Sequence, residues 1–178
     1  MKSICVFCGS SPGNRPGYLQ LARELGELLA RRNLTLVYGG GRVGLMGALA
    51  DAALKEGGRV IGVIPQMLVD KEVGHPGLTE LHVVRTMAER KLKMGDLSDA
   101  FLTLPGGIGT MDELFEAWTW TQLDLQRKPC GLLNYQGYYD PLIEFIERSV
   151  EEGFLRPRHR AALIVDCDMT KLLQRLQD

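Results

Sequence analysis

Short β-branched runs alternate with helical stretches along the whole of this 178-residue chain, and that alternation constrains the fold more than any other feature. It predicts an α/β architecture: a Rossmann-like, doubly wound parallel sheet with helices on both faces. Strands are expected at residues 3–8, 35–38, 59–64, 81–84, 100–104, 131–133 and 163–165. Helices are expected at 16–32, 44–56, 86–97, 110–125, 138–152 and 169–176. In the first helix Tyr18, Leu21, Ala22, Leu25, Leu28 and Leu29 form one apolar stripe at i, i+3, i+4 spacing, as a helix lying on a sheet requires. No repeat or low-complexity linker interrupts the pattern, so residues 1–178 are expected to form one domain, and 45% hydrophobic content is enough to build its core. The longest irregular connection, residues 65–79, is a candidate for a functional loop.

Glycine is placed unevenly. Gly9-Ser10-Ser11 follows the first strand, Gly39-Gly40-Gly41 the second and Gly106-Gly107-Ile108-Gly109 the fifth. Ligands of doubly wound sheets bind beyond the carboxyl ends of the strands, so three glycine turns on that edge outline one pocket, with Ser10 and Gly40 as contacts. Gly39-x-Gly41-x-x-Gly44 matches the dinucleotide fingerprint, but the next strand ends Val63-Ile64-Pro65-Gln66 without the acid that would hold a ribose. A wall-forming or second phosphate-contacting loop is the better reading. No Gly-Lys-Ser/Thr follows any glycine run, which removes most of the case for a nucleoside triphosphatase.

The turn Pro105-Gly106-Gly107-Ile108-Gly109-Thr110-Met111-Asp112-Glu113 runs from a strand into a helix. Such a turn can hold a phosphate on backbone N–H groups at the positive end of the helix dipole. Thr110 and Glu113 also have the spacing of a capping box, with Thr110 as N-cap, and both readings stand at this point. On a helical count from Met87, Arg90 falls at about 300°, between Leu97 and Met94, and so points into the apolar sector. A guanidinium there needs a carboxylate or phosphate partner, unless it snorkels outward from the end of the stripe. In the following helix Met111, Leu114, Phe115, Trp118 and Leu125 form the expected core face. Trp120 and Glu113 lie about 180° to 200° round from Met111, on the far side. An aromatic without a home in its own chain suggests a homodimer with Trp120 near the interface. Cover by the 65–79 loop is the alternative.

Formal net charge is −1 with no basic run, so no nucleic-acid or membrane footprint is present. No apolar stretch suits a signal peptide or a bilayer span, and a cytoplasmic protein is expected. Cys5 and Cys8, three apart on a strand, point to opposite faces and cannot act as a dithiol. His75, His82 and His159 lack ligand spacing, and no metal or cofactor is expected.

These motifs resemble a known family. PGGxGTxxE at 105–113 and M-x-x-R-K at 87–91 are similar to the paired motifs of the Lonely Guy (LOG) family of cytokinin riboside 5'-monophosphate phosphoribohydrolases. Cys8-Gly9-Ser10-Ser11, Tyr38 through Gly41, Trp118 through Leu123 and Lys128-Pro129 extend the resemblance along the chain. It implies a homodimer that hydrolyses the N-glycosidic bond of an adenosine 5'-monophosphate, usually N6-modified, to free base and ribose 5-phosphate. It implies Arg90 and Glu113 as the essential residues. Substrate contacts would come from Arg90, Lys91, Gly106, Gly107, Ile108, Gly109, Thr110, Met111 and Asp112, with Glu72 and Thr119. Ala88 departs from the histidine that many members carry. A carboxylate at Glu113 suits the oxocarbenium character of ribosyl transfer, whereas Asp112, about 100° away on the helix, does not form an opposed acid and base with it. A nucleotide sensor or carrier without turnover is the competing class. Lysine decarboxylase, a label attached to similar sequences, would need a Schiff-base lysine that nothing here singles out.

Overall fold

The structure is a computed structural model, described here for residues 1–70 and 74–178. Seven parallel strands, β1 (Ser3–Phe7), β2 (Thr35–Tyr38), β3 (Val60–Pro65), β4 (Glu80–Val84), β5 (Ala100–Thr103), β6 (Cys130–Leu133) and β7 (Leu163–Asp166), form one sheet in the order β4-β3-β2-β1-β5-β6-β7. The strand order reverses between β1 and β5, which makes the crevice above them the topological switch point.

Alternation along each strand splits the core into two layers. Ile4, Val6, Leu36, Leu102 and Leu104 face α1 (Pro16–Arg31), α2 (Gly44–Lys55) and α8 (Met169–Arg175). Phe7, Val37, Val63, Phe101 and Leu132 face α4 (Met87–Asp96), α5 (Ile108–Gln122) and α6 (Asp140–Glu151). Cys8 belongs to the first layer and Cys5 to the second, as their spacing predicts. The expected α1 stripe is buried through Leu21, Ala22, Leu25 and Leu29.

Three short elements escape the sequence reading: α3 (Gln66–Val69), a 3₁₀ turn (Tyr135–Gly137) and α7 (Pro157–Ala161). Each is at most five residues, too short to show a period. The turn also moves the start of α6 from the expected Tyr138 to Asp140, because Gln136 and Gly137 both adopt positive φ.

At the amino ends of the two central strands, Asp99 accepts backbone N–H bonds from Lys2 at 2.6 Å and Ser3 at 3.0 Å. The bond to Lys2, with that to Ser3, holds the Asp99 carboxyl below its ordinary range despite some desolvation. A depressed carboxyl contributes stability above its unfolded pKa and loses it as pH falls through the folded one. Asp99→Asn is therefore expected to lower Tm by a few degrees at pH 7. The gap to wild type should close on acidification below about pH 4, as measured by thermal melts across pH.

Candidate active site

The carboxyl end of β5 runs through Pro105-Gly106-Gly107 into α5, whose N-cap is Gly107. No side chain caps this helix and its first turn contains no acid. The positive end of α5 is thus left to whatever anion approaches from outside. A methyl group built on Gly107 or Gly109 would meet nothing within 4 Å, so the surface of the turn beside these two residues is open. The capping box expected at Thr110 and Glu113 is not formed. The glycines let the helix begin two residues early, and Thr110 lies inside it, buried, with its side chain against Gly106. A Thr-x-x-Glu cap does occur one helix earlier, where Thr86 accepts the Glu89 N–H and Glu89 accepts the N–H of Arg85.

Arg90 points inward as its periodicity predicts, with 6% of its surface exposed. Its Nε donates to the Val63 carbonyl at 3.1 Å and its Nη2 to the Gly39 carbonyl at 3.0 Å, at the carboxyl ends of β3 and β2. Nη1 stands 3.7 Å from Oε1 of Glu113, itself buried. Desolvation pushes the Glu113 carboxyl up to about 7, and the opposing pull of Arg90 does not cancel it. A carboxyl poised near neutrality beside a fixed cation is suited to exchange a proton during a reaction.

The face of α5 differs from expectation. Thr110, Glu113, Leu114, Ala117 and Trp118 are buried, while Phe115 is exposed and Leu125 lies beyond the helix end. The buried face includes two polar residues, so a count of apolar positions alone is centred off its true direction. Glu113 therefore lies on the sheet side, and Trp120 is half-buried over Gly95 of α4.

Lys91 reaches across to α5, 3.0 Å from Asp112 and 2.7 Å from Glu116. Burial alone would lower the pKa of its ammonium, but the bonds to Glu116 and Asp112 outweigh this and raise it. Gly106, Gly107, Ile108, Gly109 and Thr110 form the turn and first helical turn. Met111 packs its side chain against the core, leaving only its backbone to the site. Ser10 lines a cleft of about 250 Å³ at the switch point, with Gly9, Gly106, Gly107, Tyr18 and Tyr138. Gly40 is buried and its carbonyl accepts the His75 N–H, so it supports the site's wall and offers no free contact. Thr119 is not brought to the others: it faces outward with Phe115 and Phe145. Glu72 lies outside the described residues. Sequence reasoning missed Gly39 and Val63 as carbonyl ligands of Arg90, which a parallel sheet signals only once the strand order is known. It also missed Tyr138, whose hydroxyl holds the Gly106 carbonyl.

A family profile described as "possible lysine decarboxylase" matches residues 46–176. A cytokinin riboside 5'-monophosphate phosphoribohydrolase of Rhodococcoides fascians is 53% identical over 169 residues, covering 94% of this chain and 85% of that protein. The phosphoribohydrolase LOG1 of Arabidopsis thaliana is 48% identical over 177 residues, covering 99% and 83%. This chain belongs to the Lonely Guy family. The decarboxylase description does not suit the lysine nearest the site, since Schiff-base formation needs a neutral amine and Lys91 is held charged by two acids. Among solved structures, a molybdenum cofactor binding protein of Rippkaea orientalis superposes with a TM-score of 0.74 at 20% identity, covering 99% of this chain and 96% of that one, a likeness of fold.

Gly39 leaves room for the guanidinium, since a methyl there would lie 1.8 Å from Arg90 Nη2. Gly39→Ala is expected to cost about 1–3 kcal/mol of stability by overpacking. It should also shift the Arg90 Nε–H resonance in nitrogen-edited NMR spectra; an unchanged signal would mean that the pocket yields elsewhere.

Proposed function

We propose that this protein acts in the cytoplasm on N6-modified adenosine 5'-monophosphate, hydrolysing its N-glycosidic bond to free base and ribose 5-phosphate. The observation that carries the reading is the buried Arg90 and Glu113 pair beside an uncapped glycine turn, in a chain that shares about half its residues with named phosphoribohydrolases. The phosphate would sit on the amides at the start of α5, where the helix dipole and backbone N–H groups suit it. With the phosphate bound there, the ribose would lie toward Glu113. As the C–N bond lengthens, positive charge grows on the anomeric carbon and a carboxylate beside it is stabilising. Glu113 takes a proton from the attacking water, whose oxygen bonds to the anomeric carbon. The base departs with the bonding electron pair and takes one proton from solvent, to which Glu113 then returns the proton it took, so the carboxylate is restored and the reaction consumes only water. Arg90, fixed by two carbonyls, holds Glu113 and the ribose end of the substrate in register.

Incubation with AMP and with N6-isopentenyl-AMP should release base and ribose 5-phosphate, and Glu113→Gln should lower kcat by about 10²- to 10⁴-fold. Because the ionised form acts as base, kcat/KM should rise with pH through a midpoint near 7, the value to which burial lifts Glu113. A limb centred near pH 4.5 would remove the poised carboxyl from the mechanism, and tight AMP binding without any release would identify a sensor.

The working unit is proposed to be a homodimer. Leu92 and Leu125 are 55% and 70% exposed beside half-buried Trp120, an apolar flank on α4 and the end of α5. Light scattering should give twice the 19.8 kDa chain mass, and joint replacement of Leu92 and Leu125 by Arg should return it to the monomer value.

A further inference from the structure

We propose that Tyr138 is a positioning residue that aims a backbone N–H of the glycine turn at the substrate phosphate, a proposal resting on the reading that this turn holds the phosphate. Three successive carbonyls of the turn are held. Pro105 accepts the Gly9 N–H at 3.1 Å, Gly106 accepts the Tyr138 hydroxyl at 2.7 Å and Gly107 accepts the Met111 N–H at 3.1 Å. The first and third bonds are backbone to backbone and come with the fold. The middle one depends on a side chain.

The peptide it controls is also the one most free to turn over. Gly106 and Gly107 flank it, so no Cβ on either side resists a flip of the peptide plane. The structure contains no cis bond among its described residues, and in a trans peptide the C=O and the following N–H point in opposite directions. Holding the Gly106 carbonyl against Tyr138 therefore sends the Gly107 N–H to the opposite side of the peptide, at a residue whose Cα borders open space, since a methyl built there meets nothing within 4 Å. A flipped peptide would present a carbonyl dipole in place of a donor, and a phosphate would meet repulsion.

Tyr139 supplies an internal contrast. Its hydroxyl donates to the Leu104 carbonyl at 2.8 Å, a bond of the same kind to the same segment. The peptide so held is Leu104–Pro105, which has no N–H to direct, and the same hydroxyl also meets the backbone of Gly106, so Tyr139 braces the turn without holding the carbonyl that orients the Gly107 N–H. The ring of Tyr138 packs edge-on against Tyr139 and Tyr18, so loss of the hydroxyl alone leaves its packing intact.

The test compares wild type, Tyr138→Phe and Tyr139→Phe, using AMP and adenosine as substrates and thermal melts as a check on folding. Tyr138→Phe is expected to raise KM for AMP about fivefold, with kcat changed less than twofold, and to reduce the preference for AMP over adenosine by a similar factor. Tyr139→Phe is expected to lower Tm with little effect on KM. An unchanged KM in Tyr138→Phe, or equal rises in both variants, would overturn the positioning role. Wild-type enzyme that cleaves adenosine as readily as AMP would instead overturn the phosphate reading on which the proposal rests.

Discussion

A permanent positive charge in the interior sets the terms for this site. A guanidinium is a fixed cation, and leaving one uncompensated in the interior would cost several kcal/mol. The compensation comes chiefly from the sheet. Two backbone carbonyls, that of Gly39 just past β2 and that of Val63 within β3, take two edges of the guanidinium. The remaining edge faces Glu113 across 3.7 Å, a separation that leaves the carboxylate attracted but not locked in a short hydrogen bond. The pair thus combines a cation of fixed position with an acid able to exchange its proton near neutrality, which suits the ribosyl transfer proposed for this site.

Much of the fold was legible because strands buried on both faces read as short β-branched or apolar runs, while the long helices keep a 3.6-residue period. The α1 stripe and the inward direction of Arg90 follow from spacing, and the seven strands from those runs. Where polar groups are buried for function, the same counting fails. The α5 face was misdirected because Thr110 and Glu113 occupy it, and the capping box was misplaced because glycine lets a helix begin where no side chain caps it. Thr119 carries no local signal that separates a contact within one chain from one made across two.

The glycine turns are also unequal in what they do. The turn after β5 leaves its amides open, whereas the turn after β2 is committed on both sides: Gly39 holds Arg90 and Gly40 holds the segment at His75. His75 is further tied to Asp51 of α2 at 2.9 Å. One turn is therefore free for the proposed phosphate while the other braces Arg90, although their sequences look alike.

The Asp99 clamp gives this division a spatial form. It closes the amino ends of β1 and β5, while the cleft and the glycine turn occupy their carboxyl ends, one strand length away, or about 15 Å. The two strands that bound this crevice are thus tethered at one pole and carry the proposed site at the other. Loops at the latter pole can be recut for a different base without loosening the knot that keeps the strands side by side, which leaves a small protein free to vary its substrate while its frame stands still.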